Sequence, residues 1–110
     1  MDYTFDCRSH SVVVSVRGRV DESTWVAFGV GLSEAIEKAR EAKVSEVVID
    51  LTGLDYMSSR GLRVLTVARR EGDDAGIKVS LACPNEVMRE ILAISRYDKL
   101  FTITDTIETD

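Results

Sequence analysis

Two adjacent hydroxyls, Ser58 and Ser59, stand between an apolar run and an apolar stripe of helical spacing. Val47-Val48-Ile49 ending in Asp50 suits a strand covered on both faces. Thr52-Gly53 breaks that strand on this reading, and Leu62, Val64, Leu65, Val67 and Ala68 then follow helical spacing. The serines therefore fall where a helix begins, beside N–H groups without an intrahelical acceptor and at the positive end of the helix dipole. A phosphate added there is electrostatically favoured and displayed to a partner. The competing reading is that both serines are caps, since serine is among the best N-cap residues.

The other chemically capable residues are scattered. His10 is the only histidine, and Cys7 and Cys83 are isolated thiols without metal or pairing spacing. No Gly-x-Ser-x-Gly elbow is present, and His10 reads as a turn residue rather than a general base. Gly29-Val30-Gly31 lies inside a helical pattern, position 34 is Glu, and no phosphate-loop lysine follows. The expectation is a chain with no catalytic residue, no metal and no cofactor. Its 110 residues carry a net charge of −5, with 45% hydrophobic and 30% charged residues. That balance describes one globular domain over residues 1–110 and argues against a nucleic-acid surface or docking on anionic lipid. The run Val12 to Val14 is far too short to span a bilayer, and Asp2, Asp6, Arg8 and His10 leave no signal peptide visible. A cytoplasmic chain is expected, with both thiols reduced and at least partly buried.

The elements that must position the serines follow from periodicity. Tyr3 to Cys7 alternates and turns at Arg8-Ser9-His10 into Val12 to Val16, a hairpin with its first strand at the edge and its second ended by Gly18. Asp21, Glu22, Ser23 and Thr24 are N-cap candidates for a helix to about Arg40, with Trp25, Phe28, Leu32, Ala35, Ile36 and Ala39 on its apolar stripe. A third strand is expected over Val44 to Leu51 and a second helix from about Ser59 to Gly72, with Gly72 to Gly76 as a turn. Ile77 to Leu81 alternates as a strand with one solvated face. Pro84 opens a third helix in which Val87, Met88, Ile91 and Leu92 share a face. A short strand, Leu100 to Ile103, precedes a last helix capped by Asp105 or Thr106. Alternating strands and helices imply right-handed crossovers and a mostly parallel sheet. The loops at Asp21, at Ser58-Ser59 and at Cys83-Pro84-Asn85 should then meet beyond the carboxyl ends of the strands.

The segment Leu54-Asp55-Tyr56-Met57-Ser58-Ser59-Arg60-Gly61-Leu62-Arg63-Val64-Leu65 resembles the signature of STAS domains, specifically the small anti-sigma factor antagonists of bacteria. Gly18-Arg19-Val20-Asp21 is similar to the family's Gly-x-Leu-Asp, and Leu100 to Ile103 followed by Asp105 and Ile107 is similar to its C-terminal segment. The resemblance covers nearly the whole chain. It implies an α/β fold: a mostly parallel, mixed sheet that opens with an antiparallel hairpin and is covered by helices. The family usually has a longer C-terminal helix than the last residues here allow. With Gly61-Leu62 aligned to the motif, the resemblance puts Ser59 at the phosphoacceptor position and Ser58 where Asp is often found, with Ser58 as the alternative acceptor. It assigns Asp21, Ser58, Ser59 and Arg60 to a partner-binding surface. The partners it implies are an anti-sigma factor that is also a serine kinase of the histidine-kinase-like ATPase fold, and a PP2C-type phosphatase. A second possibility is a STAS structural or sensory subunit of a larger scaffold or transporter-associated complex.

Overall fold

The computed structural model describes residues 1–107. The alternation near the start of the chain forms the expected hairpin: β1 (Asp2–Cys7) pairs antiparallel with β2 (Ser11–Val20) and takes the sheet edge. There follow α1 (Trp25–Ala42), β3 (Glu46–Met57), α2 (Ser59–Ala75), β4 (Lys78–Ala82), α3 (Glu86–Ile94), a 3₁₀ turn (Tyr97–Lys99) and β5 (Ile103–Thr104). The strands lie in the order β1-β2-β3-β4-β5, parallel from β2 onward. The α/β class and the mixed sheet opening with a hairpin are as the sequence implies.

Right-handed crossovers between successive neighbouring parallel strands place their helices on one face of the sheet. The core lies accordingly between Val12, Val14 and Val16 of β2, Ile49 and Leu51 of β3 and Leu81 of β4, and Phe28, Leu32, Leu65, Met88 and Leu92 of the helices. The other face of β3 carries Glu46, Val48 and Asp50, all half-buried, so this strand is not covered on both faces. Its carboxylates are used across strands: Ser15 Oγ donates to Asp50 Oδ2 at 2.9 Å, and Ser80 Oγ donates to Glu46 Oε2 at 2.9 Å. The solvated face expected for β4 is absent, since Val79 through Ala82 are all buried between flanking strands.

The larger departure lies in β3, which does not stop at Leu51. Two register irregularities against β2, between Ser15 and Arg17 and between Gly18 and Arg19, let it run on to Met57. At the first, Asp50 Oδ1 accepts from the Thr52 N–H (3.0 Å) and the Thr52 hydroxyl (2.6 Å), so the groups displaced from the ladder stay satisfied. At the second, Gly18 adopts φ +106°, a conformation that keeps β2 running instead of ending it.

Helix boundaries shift for local reasons. Gly72 is buried inside α2, where a Cβ would lie 2.7 Å from the Ile77 carbonyl, and the left-handed Gly76 ends the helix instead. Asn85, not Pro84, opens α3, its Oδ1 accepting from the Met88 N–H at 2.9 Å. Val87 turns outward at 50% exposure. β5 is two residues long and starts later than expected. Residues 105–107 are not helical, and the rest of the expected last helix lies outside the described residues. No helix among the described residues is long and apolar enough to cross a membrane. Cys7, at the end of the edge strand, is exposed rather than partly buried, and Cys83 is half-buried.

Candidate functional site

The long β3 determines which residues meet. Val20 pairs with Met57, so Asp21 and Ser58 leave neighbouring strand ends together, and the Ser58 N–H donates to the Val20 carbonyl at 2.8 Å. The third loop falls short. β4 pairs with β3 only as far as Ala82 opposite Asp50, and β3 continues to Met57 beyond it. Asn85 Nδ2 donates to the Leu54 carbonyl at 3.1 Å, three residues before Met57. The expected meeting of three loops is thus a meeting of two.

Ser58 is extended (φ −77°, ψ 174°) and is the N-cap of α2: its Oγ accepts from the Gly61 N–H at 3.4 Å, and its carbonyl from the Leu62 N–H at 3.0 Å. Ser59 is the first helical residue and is exposed, and its hydroxyl has no partner among the described residues. One serine closes the helix and the other is displayed at its positive end.

Gly61 sets how closely that end approaches the sheet. A Cβ there would lie 2.4 Å from Met57 Cγ and 2.7 Å from Val20 Cγ1, well inside contact distance. Only a residue without a side chain lets the first turn of α2 settle on the ends of β2 and β3.

Asp21 does not cap α1. The N-cap is Thr24, which makes no side-chain cap bond. The Asp21 carboxylate closes the preceding turn, accepting from the Ser23 N–H (2.9 Å) and the Ser23 hydroxyl (2.8 Å). Its own N–H donates to Thr24 Oγ1 at 2.9 Å, and its carbonyl accepts from Trp25 N–H at 3.0 Å. The Ser23 hydroxyl and then the Ser23 N–H hold its carboxyl below the usual carboxylate range, with smaller help from Thr24 and Arg19 against partial desolvation. Asp21 is therefore an ionised, fixed acceptor.

Arg60 stands over the ring of Trp25, 5.2 Å from its centroid, and Nε lies 3.5 Å from Glu22 Oε2. Both charges are more than half exposed, so the ion pair is weak and Arg60 is held loosely. Arg19 lies 4.5 Å over the Tyr56 ring on the adjoining strand ends. Trp25, on the expected apolar stripe of α1, is half-buried: it packs against the core and carries Arg60 on its ring, a second use that helical spacing with Phe28 does not show.

A family model of the STAS domain matches residues 4–109. The chain belongs to the STAS domain family. Solved structures share its fold at low identity. An anti-sigma factor antagonist from Mycobacterium paratuberculosis superposes with a TM-score of 0.78 at 22% identity, over 96% of this STAS chain and 86% of that one. The anti-sigma factor antagonist SpoIIAA in its unphosphorylated form gives 0.75 at 18% identity over 96% and 89% of the two chains. The Bacillus cell fate determinant SpoIIAA in the phosphorylated form gives 0.67 at 19% identity over 96% and 92%.

Proposed function

We propose that this STAS domain is a phosphorylation-controlled anti-sigma factor antagonist that works by binding and has no turnover of its own. Unphosphorylated, it binds an anti-sigma factor that is also an ATP-dependent serine kinase of the histidine-kinase-like ATPase fold, and the sigma factor is released. Phosphorylation of Ser59 ends the binding, and a PP2C-type phosphatase restores it. The observation that carries this reading is the division of labour between the serines: Ser58 is committed to its cap, while Ser59 offers an exposed hydroxyl without a partner among the described residues. Fixed, ionised Asp21 and loosely held Arg60 flank it as the remaining contacts of the partner surface. SpoIIAA, on the same fold, exists in phosphorylated and unphosphorylated forms.

The added group brings about −1.5 to −2 charges and three acceptor oxygens to a surface that a partner must desolvate. Moving binding from nearly complete to nearly absent takes about 5.5 kcal/mol of differential affinity. A buried phosphate facing a partner's carboxylate or apolar surface is of that order. The test uses the cognate kinase and ATP. Ser59→Ala should take up no phosphate and remain bound, and Ser59→Asp should bind more weakly than either Ser59→Ala or the unmodified chain. Equal affinities of all three for the kinase would refute control at Ser59 and would favour a structural or sensory subunit, whose assembly is indifferent to that charge.

A further inference from the structure

On the side of α1 and α2 away from the sheet lies an open groove of about 970 Å³. Its centre is apolar and unusually exposed for a helical surface: Val26, Val30 and Val67 are 59%, 49% and 52% accessible, around a hollow left by Gly29. Its charges are segregated along its length. Arg60 and Arg63 line one end, and Glu34, Glu37 and Glu71 line the other.

We propose that this groove is a self-association surface, and that its occupant is the same groove of a second copy. The groove is complementary to itself in the charges of α2, Arg63 and Glu71. A Cβ at Gly29 would touch Val64, and Ser33 Oγ donates to Glu71 Oε1 at 3.2 Å, so Val30 and Val67 stand level in mid-groove. A two-fold axis crossing the groove at that level sets each helix antiparallel on its own counterpart. Val67 then meets Val67. Arg63 and Glu71 lie equally far along α2 on either side of Val67, so each arginine meets the second copy's glutamate, twice by symmetry. Glu71 uses one carboxylate oxygen for Ser33 and keeps the other for the arginine. With the axis along the groove instead, α1 lies on α2 of the second copy and the two basic ends share one end of the interface, away from the glutamates, so that arrangement is disfavoured.

The area sets the strength. Helices of 18 and 17 residues are about 27 and 25 Å long, and side by side they present a footprint of about 500 Å² per copy. A buried total of about 1,000 Å² is the lower bound of specific interfaces, so the dimer is weak and forms at micromolar concentration or above.

Sedimentation velocity of the full chain over a micromolar-to-millimolar series tests this. The wild type should pass from monomer to dimer. Val67→Glu should remain monomeric, and its circular dichroism and melt should match the wild type because the residue is exposed. Arg63→Glu and Glu71→Arg should each raise the dimer dissociation constant by about tenfold or more. An equimolar mixture of those two variants should form a heterodimer again, since both cross-pairs are then attractive. A wild type that stays monomeric throughout overturns the proposal and leaves the groove to a helix of another protein. A dimer indifferent to Val67→Glu, or a mixture that fails to associate, overturns it equally.

Discussion

Replacing Gly61 by alanine places one methyl group where three side-chain carbons already stand. The new carbon would lie 2.4 Å from Met57 Cγ, 2.7 Å from Val20 Cγ1 and 3.2 Å from Val20 Cβ. Comfortable carbon–carbon separations are about 3.5–4.0 Å, so the overlap is about 1 Å or more at Met57 Cγ and nearly as large at Val20 Cγ1. Neither neighbour yields readily. Val20 is fully buried and stiff at χ1, and Met57 Cγ is the second carbon of its side chain, not its mobile tip. Overpacking of this kind costs about 1–3 kcal/mol. Against it stands the better helix propensity of alanine, worth at most about 1 kcal/mol. Two contacts this short put the overpacking in the upper half of that range, so the net expectation is a destabilisation of about 1–2 kcal/mol, seen as a lower denaturant midpoint at unchanged slope. In a Val20→Ala background the same substitution should cost at least about 0.5 kcal/mol less, because one clashing carbon is gone. The displacement also has a functional reading. Relief of the clash lifts the first turn of α2 and stretches the 2.8 Å bond from the Ser58 N–H to the Val20 carbonyl, moving both serines from their places beside Asp21. Equal or greater stability of Gly61→Ala in the wild-type background would refute the reasoning.

Two further outcomes separate structural from displayed groups. Ser58→Ala should cost about 0.5–1 kcal/mol, the lower half of the range for a lost serine cap, because its bond to the Gly61 N–H is long at 3.4 Å. Phosphate uptake from the kinase should persist in that variant, and its loss would place the acceptor at Ser58. The depressed pKa of Asp21 means that its ionised form stabilises the fold, a contribution present above the unfolded value near 3.8 and lost as pH falls below it. The stability gap between wild type and Asp21→Asn should therefore narrow as the pH of chemical melts is lowered through that value, and a gap independent of pH would contradict the assignment.

The parts of this structure legible in the sequence are those written as local periodicity. The hairpin, the apolar stripe of α1 and the start of α2 at Ser59 follow from alternation, helical spacing and a serine in cap position. What was illegible depended on tertiary support for a residue that locally signals the opposite. Thr52-Gly53 is a turn signal, yet Asp50 takes up the displaced Thr52 groups and β3 continues to Met57. Gly72 is a helix stop in isolation, yet the close approach of Ile77 and Val79 requires a glycine in that place. The candidate site inherits the first of these errors. The loops of Asp21 and Ser58 leave neighbouring strand ends, but the Cys83 loop falls short of them, because the unequal lengths of β3 and β4 leave no mark on either strand's own pattern. Of the four N-cap candidates Asp21, Glu22, Ser23 and Thr24, it is Thr24 that takes the position, and Asp21, whose type suits a cap equally, does not. Its carboxylate is spent one turn earlier, on Ser23.

The two proposed surfaces share α2, and charge at Ser59 should therefore be felt in the groove. Ser59 and Arg63 are four residues apart on the same helix face. A carboxylate or phosphate at the first helical position is favoured by the dipole by about 0.3–1 kcal/mol, and the pairing with Arg63 adds about 0.2–0.5 kcal/mol. In the self-associated form the same guanidinium faces Glu71 of the second copy, so the two acceptors compete. Ser59→Asp should accordingly raise the melting temperature slightly while weakening self-association about two- to threefold, the ratio that about 0.5 kcal/mol commands. Both effects are electrostatic and exposed, and both should shrink in high salt. In an Arg63→Ala background Ser59→Asp should no longer change the dissociation constant. Sedimentation velocity on the four proteins at low and high salt measures all of this. A Ser59→Asp dimer as tight as the wild type at low salt would show that Arg63 is not shared, and that the phosphate acts on the partner surface alone.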